Sequence, residues 1–576
     1  MKLKLLCSIY FFVAGCNFCI AQDTLHIPPI LTGSLFNLNI QKGTSVFYTG
    51  TTTPTFGING IWMAPTIMFN KGDSISINVT NRLTETTTLH WHGLHVSAYN
   101  DGGPNQIIAV DSTWHLKFVV RNNAGTFWYH PHGAGKTDPQ VSKGVVGMII
   151  IHDSIENSLN IPKTYGVDDI PLIVQSKAFD VLQQIAISTE MDTALFVNGT
   201  LRPYFDAPAQ VVRFRLLNAS SMRSYNFGFS NNQTFYQIAT DGGLKDTPVV
   251  LNRIRLSPGE RAEILVDFQA MNGQSLQLMS YASALAHGIY GSVGVGMGED
   301  TIAGYGDNFL NGADFNIMQI NVTAPTGTPI TSIPATLASY NPYNVSSATI
   351  VREIVFDTLR RLPADRPNLA DGPFGINDRT FTMDSVNVVT HVNSTEIWSL
   401  KNHTYIAHPF HVHDVQFNVI EKGGSPVSVS ERGWKDVILV MPQDSAKFIT
   451  RFETFADPTM AYMYHCHLLH HEDDGMMGQF LVIDSIATEI NDLKTPSELS
   501  VYPNPATDKI IIQSNTIEKW NTIELIDAIG RKISIIANQT PTSFISIDVS
   551  GVTAGVYTLL FRNDKNVKSS KIVVDH

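Results

Sequence analysis

Tyr462-Met463-Tyr464-His465-Cys466-His467 is the stretch whose reading decides the fold. Three apolar or aromatic residues lead into two histidines separated by a single cysteine. In an extended strand, alternate side chains point to opposite faces. His465 and His467 therefore share one face, roughly 6.5–7 Å apart, and Cys466 looks out of the other. One strand can thus touch two different centres. Five residues beyond the cysteine stands His471, and ten beyond it stands Met476.

Three more histidine pairs have the same i, i+2 spacing: His90/His92, His130/His132 and His411/His413. With 19 histidines in 576 residues, random placement yields only about 0.6 such pairs. A lone histidine usually reads as a surface or core side chain; four pairs do not. Thr86-Thr87-Thr88-Leu89 before His90 and Phe127-Trp128-Tyr129 before His130 suit strands. Two imidazoles from each of four strands can then reach one cluster. Imidazole alone leaves copper, zinc and iron open. The thiol narrows the choice, because one Cys, two His (His408 and His471) and a distant Met form the donor set of a blue-copper electron-transfer site.

Composition is consistent with this. The chain is 43% hydrophobic and 16% charged, enough for several cores, and its net charge of −12 with no basic cluster excludes a nucleic-acid-binding surface. Residues 1–21 read as a signal peptide: a basic start at Lys2 and Lys4, a short apolar run, and Ala21 before Gln22. Val13-Ala14-Gly15-Cys16 leaves lipid attachment as the rival reading. No later stretch reaches the roughly 18 apolar residues of a membrane span, so no transmembrane segment is expected. Cys7, Cys16 and Cys19 fall in the leader. Cys466 is then the single cysteine of the exported chain and has no internal disulfide partner.

His90-Trp91-His92-Gly93, Trp128-Tyr129-His130-Pro131-His132, His408-Pro409-Phe410-His411-Val412-His413 and His465-Cys466-His467 through Met476 together resemble the four copper motifs of multicopper oxidases. The last is most similar to those of bacterial cuprous oxidases, the spore-coat laccase and bilirubin oxidases. The resemblance implies four copper ions. His408, Cys466, His471 and axial Met476 would hold a type 1 ion, and His90 and His411 a type 2 ion. His92, His130, His132, His413, His465 and His467 would hold a type 3 pair. His470 is left as a surface or substrate-side residue. Asp101 and Glu472 stand where the family places its proton-relay acids. The implied activity is one-electron oxidation of a small reducing substrate, coupled to reduction of dioxygen to water.

The substrate reading favours laccase-like phenols or aromatic amines over cuprous or other metal ions. The 16 methionines are scattered, the Gly-rich stretch from Gly288 to Gly312 holds only Met297, and Thr404 stands where the cuprous oxidases carry an acid. A non-catalytic copper-sequestering surface protein, or a copper-less structural relative, is the alternative of a different class.

Between the motifs, short apolar runs punctuated by Gly, Pro and Asn predict an all-β chain. The resemblance implies three cupredoxin-like β-sandwich domains, at 22–160, 161–325 and 348–485, the middle one without copper ligands. Phe196-Val197-Asn198-Gly199, Arg213 to Asn218 and Leu256 to Arg261 are similar to the family's middle domain. Thr323 to Ser347 and Leu493 to Leu499 read as linkers. Residues 498–576, opening on Val501-Tyr502-Pro503-Asn504-Pro505, resemble the small Ig-like C-terminal sorting domain of the type IX secretion system. That implies contact with secretion machinery and export to the cell surface or beyond.

Overall fold

The structure, a computed structural model, describes residues 23–187, 189–361, 365–484, 499–518, 522–527, 530–537, 542–562 and 567–576. The expected leader, its three cysteines and the linker stretch 493–498 lie outside the described residues. The chain forms two compact units, one ending at residue 485 and one beginning at 486. Both are built from β-strands, as the punctuated apolar runs predict.

Three pairs of sheets make up the larger unit. In the first pair, strand Ser74–Arg82 alternates between buried and less buried residues along its whole length. Its Ile75, Ile77 and Val79 face Phe69, Trp91, Phe127 and Ile149 of the opposing sheet in one core. Each such side chain contributes about 1.5–3 kcal/mol on burial, which fixes the register of the strand. The second pair packs Leu172, Phe214 and Ile264 against Phe227, Leu278 and Ile320. The third packs Phe356, Trp398 and Phe448 against Phe410, Tyr464 and Phe480.

Strand Val211–Asn218 shows how the first two sandwiches are joined. Phe214 and Leu216 enter the core, so the alternate Arg213 and Arg215 must leave it. Both are buried, but against ionised partners. Arg215 Nη1 donates to Thr126 Oγ1 at 3.1 Å and Arg213 Nη1 to Glu156 Oε1 at 2.7 Å, while Glu263 receives both guanidiniums. Buried charges persist only when paired in this way.

The smaller unit has a three-stranded and a four-stranded sheet. Ile510, Ile512, Leu525, Leu559 and Phe561 share its core.

Candidate metal centre

The eight paired histidines sit on adjacent strands in register. In the first sandwich, strand His90–His92 pairs antiparallel with strand Gly125–His130, setting His90 opposite His130. In the third, strand His408–Val412 pairs with strand Tyr462–Cys466, setting His411 opposite His465 and Phe410 opposite Cys466. His132, His413 and His467 fall just beyond their strand ends. Even so, the two rings of each pair lie 5.1–6.0 Å apart.

The two sandwiches close on each other through these rings. His90 stacks on His413 at 3.8 Å, and His92 on His411 at 3.7 Å. All eight are buried. Trp128 seals one side, stacked on His130 at 4.1 Å.

Every ring turns one nitrogen inward. The Nε2 atoms of His132, His413 and His465 lie 3.1–3.4 Å from one another. His92 Nδ1 meets His467 Nε2 at 3.2 Å. His90 Nε2, His130 Nε2 and His411 Nε2 are buried with no hydrogen-bond partner. Most outer nitrogens, by contrast, meet protein acceptors. His90 Nδ1 donates to Asp101 O (2.9 Å), His130 Nδ1 to Pro131 O (2.8 Å) and His411 Nδ1 to Asp436 O (2.7 Å). A carbonyl can only accept, so the ring proton sits outside and the inner lone pair is free. Burial and the crowding of neighbouring rings hold His92, His130, His132, His411 and His413 well below the ordinary imidazole range, so they are neutral. Converging neutral imidazoles with orphaned inner nitrogens are costly without a cation to receive them. The donors fit copper.

The two expected acids lie in the outer shell. Asp101 follows the short helix Ala98–Asn100, and its Oδ2 accepts from His413 Nδ1 at 2.7 Å. Glu472, on helix Leu469–Asp473, is buried rather than solvated. Its Oε1 lies 3.3 Å from His132 Nδ1 and its Oε2 3.1 Å from His465 Nδ1, and it accepts from Thr137 Oγ1 at 2.7 Å. Burial opposes its ionisation, but the two imidazoles outweigh that and lower its pKa.

Sequence reasoning missed a third carboxylate. Asp436 accepts from His411 through its carbonyl and meets His92 Nε2 through Oδ1 at 3.2 Å. His92 presents Nδ1 inward, so Asp436 stands on the outer side. Nothing in the spacing of Trp434-Lys435-Asp436 marks it.

On the far side of the Cys466 strand lies a second, separate group. Cys466 Sγ is 3.4 Å from His408 Nδ1 and 3.8 Å from His471 Nδ1. Burial pushes the thiol well above its usual range and the His408 ring down to about 3. A thiolate at this position needs a cation to displace its proton. Thr404 Oγ1 meets the outer Nε2 of His408 at 2.9 Å. Phe374 covers both rings, 4.8 Å from His408 and 4.5 Å from His471. Met476 is fully buried, and its carbonyl accepts from Cys466 N at 3.0 Å. His470 is 38% exposed on its side chain and stands outside both groups.

Comparison with known proteins agrees with this geometry. Residues 39–156, 196–284 and 354–485 each match a family profile described as Multicopper oxidase, and residues 500–575 match a Secretion system C-terminal sorting domain. The chain is 34% identical over 458 residues to Multicopper oxidase mco of Staphylococcus haemolyticus, covering 78% of this chain and 88% of that one. It is 30% identical over 476 residues to Cell division protein FtsP of Shigella dysenteriae, covering 80% and 93%. Among solved structures it resembles the laccase-like multicopper oxidase CueO of Ochrobactrum sp., described as having oxidase activity towards lignin model compounds. The TM-score is 0.69 and the identity 29%, with 80% of this chain and 100% of that one covered.

Proposed function

The chain belongs to the multicopper oxidase family, and on that premise we propose that it oxidises a small organic reductant one electron at a time and reduces dioxygen to water. The reading rests on one observation: two donor groups, a buried Cys–His–His set and an eight-histidine cluster, lie on opposite faces of one strand.

His408, Cys466, His471 and Met476 would hold one copper ion. His90 and His411 would hold a second, and the remaining six paired histidines the last two. When bound, the four ions supply one-electron redox chemistry and a place for dioxygen. The protein supplies the rest. The backbone of Cys466 is covalently continuous with His465 and His467, a short route between the two groups. The buried walls keep the organic reductant outside, so it needs only to approach the His471 edge, which is 5% exposed. Asp101 and Glu472 are placed to hold and pass protons at the outer nitrogens of the cluster. We assign the ligands to sandwiches at 22–160 and 348–485, with 161–325 between them.

Phenols or aromatic amines are the favoured reductants. The hydroxyl of Thr404, rather than a carboxylate, meets His408, so this position offers no anionic anchor for a metal ion. The lignin-model activity named for the Ochrobactrum structure points the same way. The sorting domain marks the protein for export; we place it at the cell surface or outside the cell. No helix among the described residues is long and apolar enough to cross a membrane. A second reading, a non-oxidase role suggested by the similarity to FtsP, makes a different prediction.

The test is to load the mature protein with copper, record its visible spectrum and follow oxygen uptake with a phenol and with Cu(I) separately. An intense blue band and faster uptake with the phenol are expected. A blue band without uptake from either reductant would favour a non-catalytic role, and faster uptake with Cu(I) would overturn the substrate reading.

A further inference from the structure

The middle sandwich has no paired histidine, yet one of its side chains reaches the outer shell of the cluster. Arg261 is buried, and each of its five N–H donors meets one acceptor. Nε donates to Thr126 O at 3.0 Å, in the first sandwich. Nη1 donates to Gly259 O at 3.1 Å and Nη2 to Asp241 O at 2.8 Å, both in its own sandwich. The remaining two donors grip Asp436 of the third sandwich in a fork, Nη1 to Oδ1 at 2.5 Å and Nη2 to Oδ2 at 2.7 Å.

Asp436 in turn meets two rings, His92 Nε2 through the gripped Oδ1 and His411 Nδ1 through its main-chain carbonyl. Those rings come from different sandwiches and stack within 10° of parallel. The joint is tight. Gly93, directly after His92, has φ +85°, and a Cβ there would lie 2.5 Å from Asp436 Oδ2 and 2.9 Å from Arg261 Nη2. A bidentate guanidinium fixes a carboxylate in plane as well as in place, which a point charge does not.

We propose that Arg261 is a positioning residue for the histidine cluster. Through the Asp436 carboxylate it holds His92 with Nδ1 inward, against a His411 ring that the Asp436 main chain holds, so the sandwich without ligands sets the orientation of a ring to which it contributes no atom. The inference rests on the copper reading above for its consequence, but not for the orientation it describes.

The experiment compares the wild-type chain with R261M and R261K. In the copper-free protein, nitrogen NMR of the histidine rings reads the His92 tautomer directly. It should be single, protonated at Nε2, in the wild type and mixed in R261M. In the copper-loaded protein, cluster copper should bind about 10- to 100-fold more weakly in R261M, while the blue chromophore at Cys466 is retained. R261K keeps the charge but cannot span both oxygens, and should show an intermediate cluster deficit at unchanged melting temperature. If R261M does not fold, R261K carries the test. Wild-type tautomer and cluster affinity in the variants that fold would overturn the proposal. So would parallel weakening of the blue site and the cluster, which marks a merely structural role. A wild type with a single His92 tautomer and no copper would sink the copper reading and leave the positioning role standing.

Discussion

Asp101 and Glu472, 371 positions apart in the sequence, converge on one histidine triplet. Asp101 holds His413 at 2.7 Å, and Glu472 lies 3.3 Å from His132 and 3.1 Å from His465. The inner nitrogens of these three rings are the ones that meet within 3.4 Å. Both acids therefore act on one end of the cluster, from the two sandwiches that build it.

D101N and E472Q should each keep full copper and slow dioxygen reduction by about 100-fold, the usual weight of a lost proton-transfer group. The rate at which substrate bleaches the blue band under anaerobic conditions should not change. Normal turnover in both variants would remove the acids from the mechanism.

Cys466 is the only sulfur of its kind in the described chain, and no neighbour replaces it. C466S should lose the intense blue absorption while the eight-histidine cluster still takes up copper, as read by metal analysis. A variant with the blue band intact would refute the assignment.

Gly102 turns the chain straight after Asp101 at φ +82°, and a Cβ there would meet Leu89 O at 1.8 Å. G102A forces the backbone leading into His90 to move, at a cost of roughly 1–3 kcal/mol in strain. A lower melting temperature together with reduced cluster copper is expected. Unchanged values for both would show that the turn yields freely.

Lys177, on strand Asp169–Phe179 of the second sandwich, is buried with its Nζ donating to Ser142 O at 2.8 Å, and burial lowers its pKa to about 7. Below about pH 7 both folded and unfolded chains carry the charge, so the folded state bears the full desolvation penalty. Between about 7 and 10.5 the unfolded chain binds the extra proton, and stability rises with pH. The effect amounts to roughly 5 kcal/mol over that range. K177M should abolish this rise, so its advantage in melting temperature over the wild type is largest at pH 6 and shrinks by pH 9.5. Parallel curves would contradict the assignment.

Removing residues 486–576 should leave the oxidase unit with unchanged copper content and melting temperature, since that unit is compact by itself. Transfer to the cell surface or medium should be lost, read as retention in the periplasm of a truncated chain that keeps its leader. Continued transfer would show that the tail is not the address.

Much of the centre was legible in the sequence because its geometry is local. His465-Cys466-His467 encodes two opposite faces through strand period alone, and the other pairs repeat it. Glu472 was legible as a position but not as a buried group. Its burial arises because one turn of helix after Leu468 carries His471 toward Cys466 and Glu472 toward His132. Asp436 and Arg261 were not legible at all. Their partners lie 344 and 175 residues away, and contacts at that separation leave no spacing pattern. Phe374 over His471 is hidden for the same reason.

The division of the cluster between two sandwiches bears on when metal is acquired. Each sandwich carries only four of the eight rings, so on the copper reading a chain still being translocated would offer an incomplete cluster. Capture couples to closure of the finished protein, and the free energy of binding adds to the stability of that closed state alone. On the copper reading, a fully loaded cluster would certify a completed fold.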